Sequence, residues 1–247
     1  MTKTLRFALA APLALALAAC GGNAEETTGA IEGDAIAAIP APEGQSWLET
    51  ASKSDDGGFV IGNPDAPLKL VEFASHTCGA CAYFATTGSH ELQNDYVETG
   101  VVSYEIRPLL RDPLDVTIST LVQCGSPESF HALSDQAWAS LEQFGQNLEV
   151  NDARYRAAME APYEERFLGL AQAAGLIDFF AARGLSADQA RTCLSDSENI
   201  TRIAEVSRDA ANELNVTGTP TFFLNGRRLQ ENQWQALEPI LQRAGAR

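Results

Sequence analysis

The clearest pattern along the chain is a change of period near residue 78. "FVIGNPDAPLKLVEFAS" (59–75) reads as a short strand, a proline-containing turn and a longer strand. In the longer strand Leu68, Leu70, Glu72 and Ala74 fall on one face and Lys69, Val71 and Phe73 on the other. From Cys78 the spacing becomes helical, through Cys81, Phe84, Ala85, Gly88, Leu92 and Tyr96. "GVVSYEIRPL" is a third strand closed by Pro108. Residues 113–214 then carry almost unbroken helical patterning, with Pro113, Pro127 and Pro162 placed where helices start. Beta character returns in "TPTFFLNGRRL", where Asn225-Gly226 marks a two-residue hairpin. A last amphipathic helix follows in "NQWQALEPILQRA", burying Trp234, Leu237 and Leu241. The predicted order is β-β-α-β, a helical block, then β-β-α. That is an α/β fold with an α-helical insertion of about a hundred residues.

Composition fits this picture. The chain has 247 residues, of which 45% are hydrophobic and 20% charged, enough for one sizeable core with an insertion. After residue 20 no apolar run approaches membrane-spanning length.

The N-terminus reads as an export signal rather than as fold. Lys3 and Arg6 precede the apolar "FALAAPLALALAA", which ends in "LAAC", Leu17 to Cys20. This stretch resembles the lipobox of bacterial lipoproteins. The resemblance implies cleavage after residue 19 and acylation of Cys20, with an ordinary signal peptide as the alternative. Gly21, rather than Asp, implies the outer membrane before the inner. Residues 20–57, rich in small and polar residues, are expected to form a flexible tether. The chain carries 17 basic and 33 acidic residues. Removal of Lys3 and Arg6 leaves 15 against 33, a net charge of −18, which opposes binding to nucleic acid.

Cys78, Cys81, Cys124 and Cys193 remain. An even set in an exported chain favours disulfide chemistry. Cys78 begins the predicted helix, where main-chain N–H groups stabilise a thiolate. Cys81, one turn on, faces inward. This suits an exposed attacker with a protected resolving thiol. Glu72 shares a face with Leu68 and Leu70 and is expected to be poorly solvated, with a raised pKa. Cys124 and Cys193 are read as a second, structural disulfide. Two free thiols, or a pair relaying electrons to the first, are the alternatives. Four-thiolate zinc is disfavoured, because the second pair lies 69 positions apart and not close together. Copper binding with His76 is a further alternative. His76 is read as a surface loop residue.

"EFASHTCGACAYF" and "GTPTFFLNG" together resemble the two signatures of thioredoxin-fold proteins. The helical block between them is similar to that of the DsbA-like thiol:disulfide oxidoreductases. The resemblance covers roughly residues 59 to 244. It implies a thioredoxin-like fold in two parts, 58–112 and 215–247, around an insertion at 113–214. By position, Cys78 matches the nucleophile, Cys81 the resolving thiol, Glu72 the buried acid serving it and Pro220 the cis-proline. Thr219 matches the residue whose backbone binds the substrate chain. One departure is the Gly79-Ala80 dipeptide, where strongly oxidising members have Pro-His. Its absence implies a less acidic Cys78.

The implied function is a periplasmic, lipid-anchored enzyme that forms disulfides in exported, cysteine-containing clients, needs no cofactor and is reset by an integral-membrane redox partner. Reduction or isomerisation, metal binding, and non-redox client holding are the competing readings.

Overall fold

The computed structural model describes residues 31–247. Its centre is a six-stranded sheet of order β1-β2-β4-β3-β5-β6. The strands are β1 (Ala51–Lys53), β2 (Phe59–Gly62), β3 (Leu68–Ala74), β4 (Val102–Pro108), β5 (Thr221–Leu224) and β6 (Arg227–Arg228). Central β3 runs parallel to β4 and antiparallel to β5. Its apolar alternation fixes the register, because a one-residue slip would turn Leu68, Leu70 and Glu72 to the opposite face. Leu70 therefore pairs with Tyr104 on β4 and with Leu224 on β5.

After β3 comes α1 (Gly79–Phe84). One continuous helix was expected through Tyr96, but beyond Phe84 the chain widens into π-type turns at Ala85–Ser89 and Leu92–Val97. Thr86 and Thr87 give a cause: their hydroxyls donate to the Ala82 and Tyr83 carbonyls at 2.8 and 2.7 Å, competing with the main-chain ladder. Gly88 lies in this segment because Trp234 packs directly on it; an added Cβ would meet the Trp234 Cβ at 2.4 Å.

Eight helices stand between β4 and β5: α2 (Pro113–Val122), α3 (Pro127–Ala139), α4 (Leu141–Val150), α5 (Asp152–Glu160), α6 (Tyr163–Ala174), α7 (Leu176–Ala181), α8 (Ala187–Ser195) and α9 (Ser197–Glu213). A final helix, α10 (Trp234–Arg243), buries Trp234, Leu237, Ile240 and Leu241. The main core lies on the sheet face of Leu68, Leu70, Tyr104, Ile106 and Phe222, and runs without a break into Ile118, Leu121, Phe130, Trp138 and Phe180 of the inserted helices. The opposite face carries a smaller cluster, Phe73 and Phe223 against Ala211 and Val216.

The expected tether is corrected in its described part. Residues 31–57 are held on the domain. Gly33 N–H donates to Arg243 O at 2.8 Å, Ile36 bridges Ala246, and Ile39 N–H donates to Thr99 O at 2.8 Å. Trp47 is buried and donates through Nε1 to Ile39 O at 2.7 Å, and β1 extends the sheet. Isolated anchors joined by main-chain hydrogen bonds leave no periodic signal in a sequence. The proposed signal segment and Cys20 lie outside the described residues.

Candidate active site

Cys78 occupies the N-cap of α1 and Cys81 its first turn. Both are free thiols; Cys78 is 5% exposed and Cys81 fully buried. The attacking sulfur is thus more covered than the sequence implied. Thr219 is the cause, because the loop before β5 brings its carbonyl to 3.3 Å from Cys78 Sγ. The adjoining Gly79 and Ala80 are exposed. The Thr219–Pro220 peptide bond is cis. Residues 141 positions apart are brought together because β3 and β5 are neighbours in the sheet, each ending at this edge of the site.

The two sulfurs differ sharply in acidity. Cys78 is lowered to about 5. The Cys81 S–H hydrogen bond is the largest cause; burial opposes it, and the Thr219 hydroxyl and the main-chain N–H groups of Cys81 and Ala80 add to it. The Thr219 hydroxyl has no other partner among the described residues, so it is free to donate to a sulfur anion. Cys81 is pushed far up by burial, by its bond to Cys78 and by the negative charge of Glu72. At neutral pH one sulfur is a thiolate and the other a thiol, the division that disulfide exchange needs.

Glu72 is 1% exposed. Tyr104, on the adjacent strand, donates its hydroxyl to Glu72 Oε2. Burial raises Glu72 to about 8; the Tyr104 bond works against the rise, while Asp135 and Cys78 add to it. The carboxyl therefore holds a proton at neutral pH, as its place on the apolar face of β3 implied.

His76 is corrected. It is 1% exposed, stacked on Trp138 with ring centroids 4.8 Å apart. Its nitrogens lie 2.9 Å from Ser119 Oγ and 3.1 Å from Ser134 Oγ. Burial lowers it to about 3, so it is neutral and lends Cys78 no positive charge. The sequence could not place it because α2 and α3, from the insertion, fold over this loop.

The same helices clamp the loop. Asp115, fully buried, accepts Ser75 Oγ at 2.6 Å, His76 N–H at 2.8 Å and Arg111 N–H at 3.0 Å. Asp112 accepts Thr77 Oγ at 2.7 Å, and Trp138 Nε1 donates to Ser75 O at 2.9 Å. Asp115, Asp112, Trp138 and Tyr104 were not legible as site residues. The one hint was Asp112-Pro113, a helix-start pair.

Cys124 and Cys193 are bonded to each other, tying the turn that follows α2 to α8. Their sulfurs are committed, which removes the four-thiolate zinc alternative.

A family model described as "Thioredoxin" matches residues 54–243. A protein-disulfide isomerase from Novosphingobium aromaticivorans is 32% identical, with a TM-score of 0.69, over 76% of this chain and 98% of that one. The alpha-DsbA1 of Wolbachia pipientis, 20% identical with a TM-score of 0.59 over 75% and 90% of the two chains, shares the fold. A provisionally named protein-disulfide oxidoreductase of Rickettsia bellii is 26% identical over 175 residues, 70% of this chain. The chain spans 59% of that relative's length.

Proposed function

The chain belongs to the thioredoxin family, and on that premise we propose that it is a thiol:disulfide oxidoreductase whose physiological direction is disulfide formation in exported proteins. The observation that carries the reading is the split pair: a Cys78 held at about 5 beside a Cys81 held as a thiol, with the Thr219 carbonyl 3.3 Å from the Cys78 sulfur.

In the oxidised enzyme a client thiolate attacks Cys78 Sγ. The Cys78–Cys81 bond breaks, and its electron pair leaves on Cys81. Glu72, protonated at rest, gives its proton to that thiolate. A second client thiolate attacks the client sulfur of the mixed disulfide. The client disulfide forms, and Cys78 leaves as a thiolate. Two electrons pass from client to enzyme. Of the two client protons, one is balanced by that gained on Cys81 and the other goes to solvent.

Stabilising the Cys78 thiolate favours the dithiol form and makes the disulfide an oxidant. The client lies along the Thr219 backbone at this edge of the site. An integral-membrane oxidase restores the Cys78–Cys81 disulfide, and acylated Cys20 holds the enzyme at the membrane, the outer one by the Gly21 criterion. Cys124–Cys193 is a structural brace.

The test uses a reduced two-cysteine client. The oxidised protein should convert it to the disulfide, Cys78→Ser should abolish conversion, and Cys81→Ser, given the client in its disulfide form, should accumulate the mixed disulfide. Conversion by Cys78→Ser at the native rate overturns the reading. Equilibration with glutathione buffers sets the direction: a potential as reducing as roughly −270 mV would make the protein a reductant instead.

A further inference from the structure

We propose that Asp135, on inserted helix α3, is the port through which buried Glu72 regains the proton it gives to Cys81; this rests on the role of Glu72 proposed above. Each oxidised client leaves Glu72 as a carboxylate inside the core. It must be reprotonated from solvent, yet at 1% exposure it has no direct access. Its Oε2 is engaged by Tyr104, and its Oε1 is buried with no hydrogen-bond partner among the described residues.

A second unpartnered acceptor lies beside Tyr104. The His131 ring stands 5.3 Å from the Tyr104 ring. Its Nε2 is 2.9 Å from the Phe59 carbonyl, which can only accept, so Nε2 carries the hydrogen and Nδ1 is bare. That Nδ1 is buried and unpartnered among the described residues. Burial keeps the ring neutral, with its pKa lowered to about 4.

One turn further along α3 comes Asp135, which is only half-buried. Its carboxylate accepts Ser89 Oγ and Gln93 Nε2, each at 3.2 Å. Burial raises it to about 6, against those two bonds. Its negative charge is felt at both the Glu72 carboxyl and the Tyr104 hydroxyl. The titratable groups around the two carboxylates are Cys78 and Cys81 of α1, Tyr104 of β4 and His131 of α3 itself; Ser89 and Gln93 face Asp135 from the turns after α1.

Asp135 combines a titrating proton, a side towards solvent and electrostatic reach to Glu72. Glu72 Oε1 and His131 Nδ1 are the inward stepping points. The proton balance is simple. Glu72 COOH gives its proton to the Cys81 thiolate, Asp135 COOH gives its proton to the Glu72 carboxylate, and solvent reprotonates Asp135. Asp135 touches no sulfur, so it is a positioning residue for the proton.

The experiment reduces the oxidised full chain with a two-cysteine client peptide in a stopped-flow instrument. Protein fluorescence follows exchange, and a pH-indicator dye follows the proton uptake that comes after release of the client's thiol protons. In Asp135→Asn the first exchange burst should keep its rate, while proton uptake slows by roughly tenfold or more. Asp135→Glu should restore uptake. Equal uptake rates in Asp135→Asn and the native chain would overturn the proposal. Should the Asn variant not fold, the double variant Ser89→Ala/Gln93→Ala removes two donors that favour ionised Asp135. The pH profile of uptake should then move to higher pH, and an unmoved profile would overturn the proposal. Glu72→Gln separates the two levels. If it leaves both exchange and uptake untouched, the role given to Glu72 fails and takes the port with it.

Discussion

Glu72→Gln makes the buried carboxyl measurable as stability. Glu72 titrates near 4.5 without its surroundings and near 8 in the fold. Across that interval the native state holds a proton the unfolded chain has lost. A raised folded pKa gives stability that is complete below the unfolded value and is lost as pH climbs to the folded value. At about 1.4 kcal/mol per pH unit, the interval sets a ceiling of about 5 kcal/mol. Gln never ionises, so it escapes this loss. It carries a constant penalty instead. Tyr104 still has a carbonyl oxygen to donate to, but an NH₂ replaces the unpartnered Oε1, at a cost of about 1–3 kcal/mol. The offset does not depend on pH, so the diagnostic quantity is the change in ΔΔG between acid and alkaline ends. Urea unfolding in a Cys78→Ser background, which leaves Cys81 as a lone thiol and removes the Cys78 titration, measures it. Glu72→Gln should be the less stable protein at the acid end and gain several kcal/mol relative to its parent by the alkaline end. A ΔΔG that stays constant across the range would refute the claim that Glu72 is buried and protonated.

The other expectations are simpler to test. Iodoacetamide should modify Cys78 with a pH midpoint of about 5, while Cys81 and the bonded Cys124 and Cys193 stay unmodified in the native protein; a midpoint near that of an ordinary thiol would show that Cys81 and Thr219 do not stabilise the anion. Replacing both Cys124 and Cys193 by Ala opens a loop of 69 residues and should cost about 4 kcal/mol in chemical denaturation. Gly88→Ala places a methyl against Trp234 and should cost about 1–3 kcal/mol, read as a lower denaturation midpoint with a shifted tryptophan emission. Cys20→Ala should release the protein from membrane fractions, and unchanged association would end the lipid-anchor proposal.

The chain alone determined a good deal. Its periods of 2 and 3.6 gave the element order from β2 onward, because a strand or helix face must be apolar wherever it meets the core. The spacing of Cys78 and Cys81 placed both on one turn, since one turn of helix spans that separation. The alternation of β3 put Glu72 inside. What it could not determine was whatever depends on partners distant in sequence. Nothing in "EFASHTCGACAYF" tells that His76 is sealed under Trp138, or that Asp115 holds the loop, because those residues arrive on helices inserted a strand later. Residues 31–57 carried no period because a few anchors and main-chain bonds hold them. The acidity of Cys78 was decided in the same way. With no histidine between the cysteines, the sequence pointed to a weaker acid. Folding supplied the donors from Cys81, Thr219 and two main-chain N–H groups. Periodicity reports which face is dry; only tertiary contact fixes which polar groups share that dry space, and their mutual fields set the chemistry.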